Sequence, residues 1–192
     1  SAASDVYKRQ MIQHVDGEKK GKQMIKLIAT DIDGTLVADG TLDLNPEYYD
    51  VIKELKRRGT IVLAASGRQR ASIEKVFTPV LDDISFISEN GTCIHSKDYQ
   101  YVDVIDPEIV RTYIEEARQF PGCEIAINKD NMTYMENIEI YQHLVGDYGY
   151  RGDLVDDVLG NPEGVCKMSI FHHNCAEDVV GDEFIKRWGK KM

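Results

Sequence analysis

The chain has 192 residues, 42% of them hydrophobic and 29% charged, and 23 Lys+Arg against 33 Asp+Glu give a formal charge of −10. That length holds one domain, or one and part of a second, and buries a core without disulfide staples. The composition rules out a disordered chain, the acidic balance argues against nucleic-acid binding, and apolar runs such as Ile61–Ala65 fall far short of the ~20 residues of a membrane span.

Residues 1–23 show no sustained apolar period and end in a Lys/Gly/Gln-rich run, so they are set apart from the fold. Ser1–Gln10 reads as adapter or linker sequence, the alternative being a native disordered tail. From Met24 strands and helices alternate. Lys26–Asp31 is a short apolar run ending in an acid. Asn45-Pro46 opens a helix, with Tyr48, Val51, Ile52 and Leu55 at helical spacing and Gly59 as its stop. Thr60–Ala65 is continuous enough to predict a strand buried on both faces. A helix over Gln69–Phe77 and a strand over Ile84–Ser88 follow. This order predicts an α/β fold with a doubly wound parallel sheet.

After Glu89-Asn90-Gly91 the character changes, and a boundary is placed near Gly91, separating 24–91 from 92–192. Thr92–Val104 predicts a hairpin turning at Lys97-Asp98, and Pro107–Phe120 a helix halted by Pro121-Gly122. Two strands around Lys129–Asn131, a helix near Ile138–Val145, a strand near Val165–Phe171 and a last helix over Ala176–Trp188 make the second half α+β.

Cys93, Cys123, Cys166 and Cys175 form no C-x-x-C pair, which fits reduced thiols in a cytoplasmic protein. No histidine stands at H-E-x-x-H spacing or beside a cysteine pair, so spacing predicts no zinc site.

The chemistry is concentrated in Asp31-Ile32-Asp33-Gly34-Thr35-Leu36, directly after the first strand. Residues i and i+2 of an extended backbone project to one side, so Asp31 and Asp33 present two carboxylates beyond the strand's carboxyl end, where open α/β sheets bind ligands. Crowded carboxylates share a proton or bind a hard divalent ion such as Mg²⁺. Gly34 turns the chain away. The run Ile61–Ala65 ends in Ser66-Gly67-Arg68, again at a carboxyl edge and ahead of a helix. A hydroxyl, a glycine and helix N-terminal amides seat phosphate, and Arg68 either contacts that phosphate or braces an acid.

DIDGTL at 31–36, AASGR at 64–68 and ENG at 89–91, in this order and spacing, resemble the haloacid dehalogenase (HAD) superfamily, and most closely its Cof-type phosphatases with a type IIB α/β cap. The resemblance covers Met24 to the C-terminus. It implies a Rossmann-like parallel-sheet core, here partial, with an inserted α+β cap over 92–192. It implies that Asp31 is the nucleophile, forming an aspartyl-phosphate, and that Asp33 is the general acid and then base. Mg²⁺ would be held by Asp31 and Asp33, and Ser66, Gly67, Arg68 and Gly34 would bind the phosphate. The partner it implies is a small phosphate ester, a sugar phosphate or phosphorylated cofactor. A phosphotransferase or phosphomutase, and a non-catalytic metal- and phosphate-binding module, are the alternatives.

The pattern breaks after the cap. Such proteins carry a third-motif lysine and an Asp-rich fourth motif, and neither is found. Val179-Val180-Gly181-Asp182-Glu183 has a Gly-Asp pair without a further aspartate and falls where a cap helix is expected, and Lys167 sits on a predicted cap strand. The expectation is a C-terminally truncated chain with little or no activity of its own.

Overall fold

The computed structural model describes residues 25–160 and 162–189. The expectation for residues 1–23 lies outside the described residues.

The first sheet contains β1 (Leu27–Thr30), β2 (Ile61–Ala65), β3 (Ser85–Ser88), β4 (Cys93–His95) and β5 (Gln100–Val102), in that spatial order. Strands β1 to β3 are parallel, with Leu27 opposite Ile61 and Leu63 opposite Ser85. Between them run α1 (Glu47–Arg57) and α2 (Arg70–Val76), followed by a 3₁₀ stretch over Thr78–Asp83. Asn45 Oδ1 accepts from the Glu47 amide at 3.0 Å, and Gly59, at φ +80°, ends α1 in the left-handed region that favours glycine.

The helices share one face. The Tyr49 hydroxyl on α1 donates to the Val76 carbonyl of α2 at 3.0 Å, and both helices cover a core of Ile32, Ile52, Val62, Ala64, Ile73, Phe77 and Phe86. This corrects the expected doubly wound layer with β2 buried on both faces. Val62 and Ala64 are sealed, whereas Ile61 is 53% and Leu27 51% exposed, because among the described residues no helix covers the second face. Nor does a described strand pair with the outer side of β1.

At Glu89-Asn90-Gly91 the chain reverses through left-handed backbone, with φ +52° at Glu89 and +59° at Asn90. Strand β4 therefore returns antiparallel beside β3, so the hairpin that sequence assigned to the second half extends the first sheet.

The second sheet has the order β8-β7-β6-β9, from Gly152–Leu154, Met132–Met135, Glu124–Lys129 and Lys167–Phe171. Its alternating side chains divide two clusters. Ile125, Ile127 and Met168 pack under α3 (Pro107–Ala117) and α5 (Ala176–Trp188), where Trp188 meets Tyr113 edge to face at 5.2 Å. Ala126 and Met135 pack on the other side with Leu144 and Tyr150; Leu144 lies in the π-helical extension Gln142–Asp147 of the short α4 (Ile138–Tyr141), and Tyr150 follows it. The Gly181-Asp182 pair lies inside α5, bent at Gly181 with φ +75°.

Candidate active site

Chain direction creates the site. Ile32, fully buried, anchors the turn after β1, and the Leu36 and Val37 amides both donate back to its carbonyl. Asp31 and Asp33, on either side of it, are left at the rim. Gly34, at φ +68°, makes the turn; a side chain there would be strained and would stand 3.2 Å from Asp39 Oδ1.

The two acids differ. Asp31 is exposed, and among the described residues no group hydrogen-bonds or ion-pairs with its carboxylate. Asp33 is gripped by a two-pronged fork: Arg68 Nε reaches Oδ2 at 2.8 Å and Nη2 reaches Oδ1 at 2.5 Å. The Gly40 amide adds a 3.3 Å contact. Arg68 is 2% exposed and further committed to the Thr41 carbonyl, the Ser72 hydroxyl and the Tyr148 ring. Its hydrogen bonds hold the Asp33 carboxyl below the ordinary value despite burial, helped by Gly40 and the Ser66 hydroxyl. Of the two roles left open for Arg68, the geometry shows it bracing an acid.

Ser66 and Gly67 continue β2, bringing the second loop to the same rim. The Arg68 amide donates to Ser66 Oγ at 3.1 Å, and the Ser66 amide is tied to the Ile87 carbonyl. Gly67 lies close to the third loop, and a Cβ there would displace the Asn90 side-chain oxygen. Asp31, Asp33, Gly34, Ser66, Gly67 and Arg68 thus all sit on two adjacent loops.

Sequence reasoning missed the polar seam that joins these loops to the second sheet. Gln69, fully buried, donates to Thr133 Oγ1 and the Arg151 carbonyl and accepts from the Arg151 amide at 2.7 Å. Lys167 Nζ donates to the Gly67 carbonyl at 2.7 Å. Glu89, fully buried, accepts from Asn128 at 2.9 Å and lies 3.4 Å from Lys167 Nζ. Burial pushes its carboxyl up to about 7, against the pull of Lys167 and Asn128. The residues beside Gln69 and Glu89 are polar and give no local signal; only Lys167 stands between less polar neighbours, Cys166 and Met168.

A cleft of about 520 Å³ opens beside Asp33, between the loop over 39–43 and His143, Asp147 and Tyr148. Its walls include Gly40 and Thr41, which also bond the Asp33–Arg68 pair. Hard oxygen donors at the rim, the Asp31 carboxylate and nearby main-chain carbonyls, suit a divalent ion such as Mg²⁺, which keeps several waters. Among the described residues no third carboxylate, histidine or cysteine joins Asp31 and Asp33 within reach of one ion.

A family profile described as haloacid dehalogenase-like hydrolase matches residues 28–192. The chain is 29% identical over 148 residues to the 5-amino-6-(5-phospho-D-ribitylamino)uracil phosphatase YbjI of Escherichia coli, covering 70% of this chain and 53% of that one. It superposes on a crystal structure of a protein from Eubacterium rectale with a TM-score of 0.76 at 33% identity, covering 87% and 65% of the two chains. It also shares its fold with the HAD subclass IIB sugar phosphatase BT4131, with a TM-score of 0.64 at 19% identity and 84% and 62% coverage. The chain spans about half the length of the Escherichia coli relative.

Proposed function

The chain belongs to the haloacid dehalogenase-like hydrolases, its match running over residues 28–192, and from that premise we propose that the protein is a Mg²⁺-dependent phosphatase of small phosphorylated metabolites. The observation that carries this reading is the contrast at the rim of β1: an exposed, unpaired Asp31 two residues from an Asp33 clamped by Arg68.

Asp31 is the nucleophile. Its carboxylate oxygen bonds to phosphorus as the P–O ester bond breaks, giving an aspartyl-phosphate and an alkoxide. Asp33 hands the alkoxide a proton and regains one from the water that hydrolyses the intermediate. Because Arg68 keeps Asp33 ionised at rest, that first proton must arrive with the substrate, and a phosphate monoester with a second pKa of about 6 can bring it. Ser66 and the backbone amide at Gly67 receive the phosphate oxygens, while Gly34, whose amide donates to the Val37 carbonyl, shapes the turn beside them. Arg68 serves by positioning Asp33. Mg²⁺, held by the Asp31 carboxylate and the Asp33 main-chain carbonyl, would supply countercharge to the phosphoryl group. The alcohol part of the substrate lies in the cleft bounded by His143, Asp147 and Tyr148, and sugar phosphates or phosphorylated cofactors are the class proposed. Four unpaired thiols suit a reducing compartment, and the cytoplasm is the proposed location.

Turnover by this chain is expected to be slow, because among the described residues no third carboxylate joins Asp31 and Asp33 within reach of one ion. The test is phosphate release from a panel of sugar phosphates and phosphorylated cofactors, with and without Mg²⁺, paired with mass detection of a hydroxylamine-labile phosphoryl group. Release and adduct should both depend on Mg²⁺, with the adduct on Asp31 and both absent from Asp31→Asn. Turnover that survives Asp31→Asn, or an adduct on another residue, overturns the mechanism.

A further inference from the structure

Away from the Asp31 rim, the fold assembles donors that spacing along the chain does not. Cys93 and His95 are two apart on β4 and so share one face of that strand. Both are buried, Cys93 fully and His95 with a side chain 6% exposed. Asp130, in the turn between β6 and β7, meets them from the second sheet. One ligand atom from each of the three lies within 4.8 Å of the others. His95 Nε2 and Asp130 Oδ1 approach to 2.9 Å, yet they are not aligned as a hydrogen bond, and among the described residues neither atom has another hydrogen-bond partner. A buried ring nitrogen and a carboxylate oxygen left without hydrogen bonds are costly unless a further group engages both.

We propose that Cys93 Sγ, His95 Nε2 and Asp130 Oδ1 form a structural site for a borderline-soft divalent cation, Zn²⁺, clamping the first sheet to the second. A thiolate, an imidazole and a carboxylate are the donors zinc takes, at ~2.0–2.3 Å. Ligand atoms around one tetrahedral ion then stand ~3.3–3.8 Å apart, so the 2.9 Å His95–Asp130 pair opens slightly and Cys93 Sγ adjusts from within 4.8 Å. Binding releases the Cys93 thiol proton to solvent and uses the neutral imidazole. The Cys166 thiol lies 3.7 Å from Cys93 Sγ but outside this group of three. Outer contacts already orient the carboxylate: Gln100 Nε2 donates to Asp130 Oδ2 at 3.0 Å and Arg70 Nη1 lies 3.6 Å away, leaving Oδ1 for the ion. The site is separate from the Asp31–Asp33 rim and does not depend on the phosphatase reading.

Co²⁺ titration of the reduced, chelator-treated chain is the test. One equivalent should give a thiolate-to-cobalt charge-transfer band and ligand-field bands of tetrahedral intensity, which Zn²⁺ then bleaches. The bands should be lost in Cys93→Ser and in His95→Gln and Asp130→Asn, variants checked for folding by circular dichroism. Gln100→Ala, which frees Asp130 without removing a ligand, should weaken binding roughly 10–100-fold. Asp31→Asn should bind as the parent does, and Zn²⁺ should raise the parent's Tm but not that of His95→Gln. Absence of the thiolate band with all thiols titrating as free overturns the site. So does a band that persists in His95→Gln and Asp130→Asn, which would show only the Cys93–Cys166 pair binding metal.

Discussion

Two acids at the carboxyl ends of β1 and β3 occupy equivalent places in the sheet and reach opposite states. Asp33 meets a guanidinium fork and is held ionised. Glu89 is sealed beneath the second sheet, with one oxygen on Asn128 and the other, among the described residues, without a hydrogen-bond partner, and burial carries its carboxyl to about 7. A strand's end thus supplies a location for an acid, while the partner across the gap decides its charge.

Removing the fork should break this contrast most severely. Arg68→Ala leaves Asp33 uncompensated and is expected to cost roughly 3–4 kcal/mol, toward the low end for a severed buried pair because Asp33 still touches water. Urea unfolding at neutral pH measures it. The same variant should lose part of the acid limb of the stability curve. Asp33's folded pKa lies below its ordinary value of 3.8, so the stability it contributes is present above 3.8 and lost as pH falls through the folded value. Arg68→Lys should restore only part of both effects, since an ammonium cannot reproduce the fork.

Glu89 sharpens the comparison from the other side. Its folded value of about 7 lies above the ordinary 4.5, so the folded state holds the extra proton between them. The stability it contributes is full below about pH 4.5 and is lost as pH rises through about 7. Glu89→Gln should flatten that decline, changing the pH-dependent part by up to about 3 kcal/mol. Denaturation midpoints of both proteins across pH 4–9 report it; parallel curves would refute the assignment. The smallest effect is expected from Gly34→Ala, about 1–2 kcal/mol for a side chain forced into left-handed backbone. It should disturb the Asp33 loop and leave the Glu89 pH profile unchanged.

Much of this was legible in the order of residues, for physical reasons. Asn45-Pro46 and Gly59 bracket α1 because caps and left-handed stops are local requirements. The strand–helix alternation set the parallel pairing of β1 to β3 and with it the meeting of the Asp31 and Ser66 loops. The rest depended on partners far apart in the chain. Nothing around Gln69 announces that it will satisfy Arg151, nor around Lys167 that it will reach Gly67. Gly152–Leu154 is too short for an alternating pattern to mark it as a strand. Covering one face rather than both is a tertiary outcome, and the apolar run Ile61–Ala65 reads alike in either case.

The flank of the first sheet beyond β1 has a practical meaning. Among the described residues no strand pairs with the outer side of β1, and Leu27 and Ile61 stand exposed next to it. Such a border recruits whatever strand arrives first. In a concentrated preparation that visitor is another molecule of the same kind, so the first oligomers to form should grow from β1, and a lysine at position 27 should slow them.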